Sequence, residues 1–182
     1  MNETSLKIRF FGDPALRKKS LPLRKVNAEH KDILSLMSRL MYEHSGVGLA
    51  APQLGINQQM IVVDIGSGLY KLVNPSIVFR KGSQVNQEGC LSIPEICIKV
   101  KRAQRVSVEA LDEDGKKIHI NAEGLLACVL QHEIDHLKGK VIVDYATFID
   151  KLRIKKQLEA LRKKYRNEKL PESETKSCKL QL

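Results

Sequence analysis

In the stretch QHEIDHLKGKVI, residues 131–142, two histidines stand four positions apart and a glutamate directly follows the first. At about 3.6 residues per turn, His132 and His136 fall one above the other on a single helix face, so both imidazoles reach one cation while Glu133 leans toward a water beside it. This H-E-x-x-H pattern points to metal-assisted hydrolysis, in which a divalent ion activates water and a carboxylate moves the proton. Two imidazoles are one ligand short, because such a centre takes three protein ligands and keeps a fourth position open. Metzincin peptidases place a third histidine where this chain has Ile142, and no histidine follows His136. The remaining donors are His119 in an alternating stretch, Glu159 or later glutamates in a basic segment, and the soft thiol of Cys90 in QEGCLSIP.

Other elements must hold that helix in place. Leu125 to Leu137 repeats with a helical period, grouping Leu126, Val129, Leu130, Glu133 and Leu137 near one face, and Gly139 stops it. Upstream, Asn27 is placed to cap a helix carrying Ile33, Leu36, Met37, Leu40 and Met41 on one face, ended by Gly46. GVGLAAPQLGI reads as a glycine-rich loop, and MIVVDI, YKLV and SIVF read as short strands punctuated by Gly66, Gly68 and Asn74-Pro75. Ile96, Ile98 and Val100 alternate, as do Val106, Val108 and Ala110, and DEDG at 112–115 turns the chain into the strand around His119. Val141, Ile142 and Val143 read as one more short strand. A last helix has Phe148, Leu152, Leu158, Leu161 and Tyr165 as its apolar stripe and ends at Pro171. The expected class is α+β, with small mixed or antiparallel sheets around a central metal-binding helix. Residues 1–150 are expected as the catalytic domain, 151–169 as a basic helix packed on it and 170–182 as a disordered tail.

Composition removes other classes. The 182 residues, 42% hydrophobic and 29% charged, suit one domain with a real core. No apolar run approaches the roughly 18 residues needed to cross a bilayer, so no membrane span is expected. The opening MNETSLKIRFFGDP has neither a signal-peptide core nor a transit-peptide composition, and a cytoplasmic location is expected. In that reducing setting Cys90, Cys97, Cys128 and Cys178 read as thiols or metal ligands rather than a disulfide framework. Nine Lys or Arg against Glu159 and Glu168 put +7 of the net +10 into residues 151–169.

GVGLAAPQ, EGCLS and QHEIDH, in this order, resemble the three signature motifs of peptide deformylases. The similarity runs from the GDPALR region to the basic helix, as in the bacterial type with an extended helical tail. It implies metal ligands at Cys90, His132 and His136, a general acid/base at Glu133 and an oxyanion-stabilising glutamine at Gln53. It also implies Fe(2+) as the physiological ion, while a thiolate with two imidazoles equally suits Zn(2+), Ni(2+) or Co(2+), with one ion per chain. The implied reaction removes the N-formyl group from N-formylmethionyl nascent peptides and releases formate. The metal lowers the pKa of a bound water, Glu133 takes its proton as the hydroxide attacks, and Gln53 with the backbone N–H of Leu91 steadies the oxyanion.

Further expectations attach to that reading. Val47, Leu125, Cys128 and Val129 are candidates for an apolar methionine pocket. Gly46 and Gly48 leave room for a substrate backbone that could pair with Val47-Gly48-Leu49 as an added strand. Glu88 and Arg102 are expected to pair. Some bacterial relatives have an arginine seven places after the motif cysteine, where this chain has Cys97. The cations of 151–169 suit ribosomal RNA, and the protein is expected to be a monomer. Two other classes are an ordinary metallopeptidase, which lacks a matching third ligand, and a non-enzymatic ribosome-binding protein with a closed structural metal, which would not need Gln53 and Glu133.

Overall fold

Buried and exposed side chains alternate from Ile93 to Glu123 and build β5 (Ile93–Arg102), β6 (Arg105–Leu111) and β7 (Lys117–Glu123). The computed structural model describes residues 6–166, where these strands join β1 (Gly48–Ala50), β2 (Met60–Val63), β3 (Tyr70–Lys81) and β4 (Gln84–Cys90). The strands form a five-stranded sheet in the order β1-β2-β3-β6-β7 and a two-stranded sheet of β4 and β5, antiparallel throughout. Helices α1 (Ala28–Glu43), α2 (Gly124–Leu137) and α3 (Phe148–Arg166) complete the α+β architecture.

The Asn27 side chain caps α1 by accepting from His30 N–H at 3.1 Å, and His30 Nδ1 accepts from Asn27 N–H at 3.1 Å, so a histidine closes the capping box. The buried face of α1 is centred on Leu34, Met37 and Met41, each 0% exposed, whereas Ile33, Leu36 and Leu40 are only partly covered. The helix is thus rotated from the face expected. GVGLAAPQLGI is not a loop throughout: it holds β1 and a 3-10 turn, Ala51–Leu54. Pairing with β2 fixes the glycine-flanked strand, a constraint its own composition does not carry. YKLV and SIVF are one strand, β3, with an irregularity between Val73 and Ser76 where Asn74 takes φ +51. Asn74 is a bulge rather than a break, and its side chain clasps Leu23, accepting from Leu23 N–H at 2.8 Å and donating to Leu23 O at 2.7 Å.

Helix α2 departs from the amphipathic pattern, for all but five of its residues are buried. Ala127, Val129, Leu130, Ile134 and Leu137 pack against sheet residues such as Ile61, Val63, Leu72, Val106 and Val108. Cys128, His132 and Asp135 point instead toward Glu88 and Arg102 of the small sheet. A helix covered on both sides loses a single polar face.

Val141, Ile142 and Val143 do not form the expected strand. Ile142–Tyr145 is a 3-10 turn tied by Val141 N–H to Asp144 Oδ2 at 2.9 Å, and its apolar residues close a core with Ile93, Ile96, Ile98 and Val100 of β5. Helix α3 contributes Ile154 and Leu161 to that core, with Leu158 beside them. Phe148 and Leu152, expected in the stripe, are 76% and 59% exposed. The spacing 154, 158, 161 defines the docked face, and Phe148 and Leu152 lie on its far side. The side chain of Tyr165 and residues 170–182 lie outside the described part of the chain. Among the described residues no helix is long and apolar enough to cross a membrane.

Candidate metal centre

Strand β4 ends in Cys90 after a register irregularity between Glu88 and Cys90, and this end of the strand lies against α2. The ligand atoms of Cys90, His132 and His136 all lie within 4.8 Å of one another, and Cys90 Sγ faces His136 Nε2 at 3.3 Å. Donors about 2.1 Å from a tetrahedral ion stand about 3.5 Å apart, so this set fits a metal. The chemistry fits as well, since a buried thiol and two buried imidazole faces have few other partners.

Glu88, 2% exposed, fixes one of the two rings. Its Oε2 lies 2.9 Å from His132 Nδ1, which leaves Nε2 as the free ligand atom. Burial alone would raise the Glu88 pKa, but hydrogen bonds from Arg102 and His132 outweigh it and bring the pKa down to about 2. Arg102 forks onto both carboxylate oxygens at 2.7 and 2.8 Å, as the sequence suggested for this pair. Burial would lower the Arg102 pKa, but the same two bonds hold it above its ordinary value. For His132, too, burial is overcome by bonds to Cys90 and Glu88, and its pKa lies well above the usual value. His136 moves the opposite way, pushed down by burial and by neighbouring His132.

Glu133 is 4% exposed and its Oε2 has no hydrogen-bond partner. Burial raises its pKa to about 7 against the partial pull of His132 and Arg102. Gly48 makes space for it, because a Cβ added there would fall on the Glu133 carboxylate. A Cβ at Gly46 would stand 2.9 Å from Leu91 Cδ1. The Cβ directions of these two glycines thus point at Glu133 and Leu91.

Gln53, 1% exposed, accepts from Ala50 N–H at 2.8 Å and directs its amide nitrogen to Ser92 Oγ at 3.1 Å and Cys90 Sγ at 3.6 Å. Ser92 was given no role in the sequence, although it is the last residue of the EGCLS motif. Leu91 lies in the turn between β4 and β5. Val47 and Leu125 are partly exposed and pack against the cluster that contains Val129. Cys128 is buried, and its thiol donates to Glu88 Oε1 at 3.2 Å. His119 on β7 and Glu159 on α3 are both exposed, and neither belongs to the cluster of donors. Cys90 and Cys128 are free thiols. Cys178 lies outside the described residues.

An α+β fold whose central helix brings two histidines and a glutamate beside a strand-borne cysteine defines a class of metal-dependent hydrolases. The Polypeptide deformylase family profile matches residues 5–152. The peptide deformylase of Thermoanaerobacter pseudethanolicus is 47% identical over 144 residues, 79% of this chain and 91% of its own. That of Caldanaerobacter subterraneus is 49% identical over 145 residues, with the same two coverages. Among solved structures, the Legionella pneumophila peptide deformylase superposes with a TM-score of 0.82 at 38% identity, covering 91% of this chain and 98% of its own. A plant peptide deformylase gives 0.86 at 37% identity, covering 94% and 97%. The chain belongs to the peptide deformylase family of metal enzymes, hydrolases that remove the formyl group from nascent peptides.

Proposed function

We propose that the chain hydrolyses the formyl amide of N-formylmethionyl peptides at one metal ion held by Cys90, His132 and His136. The observation that carries this is the convergence of those three donors beside a buried carboxylate, Glu133, with an unpartnered oxygen. When bound, the ion supplies Lewis acidity that acidifies a water and polarises the formyl oxygen. Glu133 accepts the proton of the attacking water and hands it to the departing amine as the C–N bond breaks, giving formate and a free N-terminal methionine. The side-chain amide of Gln53 and the backbone N–H of Leu91 face the oxygen on which charge develops, where such a donor is worth about 3 kcal/mol. Fe(2+) is the physiological ion in this reading, and Zn(2+), Ni(2+) or Co(2+) load the same donors in a purified sample.

Val47, Leu125, Cys128 and Val129 line the methionine pocket. Gly48 belongs to β1, the edge strand, whose only strand partner among the described residues is β2, so an extended substrate has an edge to join. Residues 1–150 form the catalytic unit, a monomer in the cytoplasm, and the basic segment 151–169 meets the ribosome. The test is Glu133→Gln in the metal-loaded enzyme. Formate release from a formyl-Met peptide should fall by at least about a thousandfold with metal content unchanged. Full turnover would overturn the reading.

A further inference from the structure

The Asp135 of QHEIDH has no part in the chemistry above, yet it is one of the most heavily bonded side chains near the centre. Its Oδ2 accepts from Arg102 Nη1 at 2.5 Å and from the Tyr145 hydroxyl at 2.6 Å. The Tyr145 ring also lies under the same guanidinium, with Arg102 Cζ 5.0 Å from the ring centroid. Arg102, 6% exposed, thus has its remaining face and its remaining NH2 group held by Tyr145 and Asp135, while Nε and Nη2 grip Glu88. Glu88 in turn holds His132 Nδ1 at 2.9 Å. An unbroken line of short contacts therefore runs from Tyr145, at the end of the 3-10 turn and 36% exposed, to a ring that the proposed function uses as a metal ligand.

We infer that Tyr145 and Asp135 are positioning residues that set the orientation of His132 through Arg102 and Glu88. The physical reason lies in the ratio of charges. One guanidinium serves two carboxylates, Glu88 and Asp135, so its place between them is a compromise that the weaker side can lose. The Tyr145 hydroxyl satisfies part of the Asp135 charge, which lets Arg102 stay bidentate on Glu88. The ring above it excludes water and fixes the guanidinium plane. Without the hydroxyl, Asp135 draws Arg102 toward itself, Glu88 loosens and His132 gains rotational freedom. Gln131 secures the other side, since its amide group bonds both N–H and C=O of Ala103, next to Arg102, at 3.0 and 2.9 Å. The inference rests on His132 being a ligand, and its test separates the two claims.

Tyr145→Phe keeps the ring and removes only the hydroxyl, and Asp135→Asn removes the charge that Arg102 meets. In metal-free protein, the His132 Nδ1 proton is read by 15N-edited NMR as a resonance protected by Glu88. In Tyr145→Phe its exchange with water should quicken about tenfold, whether or not the ring ever binds a metal. In zinc-loaded protein, loss of metal to a chelator should quicken about tenfold, within the range seen when outer partners of a ligand are removed. kcat should fall with KM unchanged. Tyr145→Phe should add nothing further in the Asp135→Asn background, because both act through Arg102. Arg17→Gln, which removes the 2.6 Å ion pair to Asp144 of the same 3-10 turn and leaves the bond from Val141 N–H to Asp144 in place, serves as the structural control and should leave both exchange and metal loss alone. Unchanged proton exchange in Tyr145→Phe, additive effects in the double variant, or an equal effect in Arg17→Gln would each overturn the inference. Altered proton exchange without altered metal loss would keep the positioning role and instead reject His132 as a ligand.

Discussion

Gly48 carries a constraint out of proportion to its size. Its backbone lies outside the left-handed region, so an alanine is conformationally acceptable, but the added methyl falls on the Glu133 carboxylate. Gly48→Ala is therefore expected to displace the proton carrier rather than to unfold the chain. Turnover should drop about a hundredfold, as a displacement of about 1 Å does elsewhere. The overpacking itself should cost about 1–3 kcal/mol. Steady-state formate release together with thermal melting checks this, and wild-type turnover would show that the carboxylate does not work from that place. Cys128 illustrates a different residue-level effect. Burial first, then the adjoining Glu88 charge, pushes its thiol up to about 12, so it remains a protonated donor to Glu88 at neutral pH.

At the level of elements, α3 keeps part of the stripe read from sequence, Leu158 and Leu161, and adds Ile154 to it in place of Phe148 and Leu152. Both sets of apolar residues have helical spacing, but only Ile154, Leu158 and Leu161 find the core of β5 and the 3-10 turn. Arg162 adds a contact over the Phe11 ring, 4.9 Å from its centroid, which fastens the helix to the N-terminal loop. Ile154→Ala and Leu161→Ala are expected to cost about 2–3 kcal/mol each in urea unfolding. Phe148→Ala and Leu152→Ala should stay within about 0.5 kcal/mol of the parent. The reverse ranking would mean that the helix docks by its other face.

For the molecule as a whole, charge and catalysis occupy separate regions. Lys151, Arg153, Lys155, Lys156 and Lys163 point outward from α3, away from the apolar face that docks it. If these cations meet ribosomal RNA, association must weaken steeply with salt. Deleting 151–182 would also strip Ile154 and Leu161 from the core, so a gentler variant is preferable. Lys155→Glu with Lys156→Glu keeps the docked face and reverses two exposed charges. It should lower ribosome co-sedimentation severalfold while formate release from a short peptide stays at the parent rate. Equal co-sedimentation of the variant and parent would reject the ribosome contact.

The sequence by itself determined what short-range periodicity controls. It put His132 and His136 on one helical face with Glu133 between, capped α1 at Asn27, and laid out β5 to β7 by alternation, because these depend on neighbours within a few positions. Only the tertiary structure decided what depends on contacts between distant segments. It joined two short strands through the Asn74 bulge, made a strand of Gly48–Ala50, and chose Ile154 over Phe148 for burial. It also brought Cys90 to His136, and tied Tyr145 to Asp135 and Arg102. No local pattern encodes these meetings, since each is settled by which surfaces are left to cover once the sheets have formed.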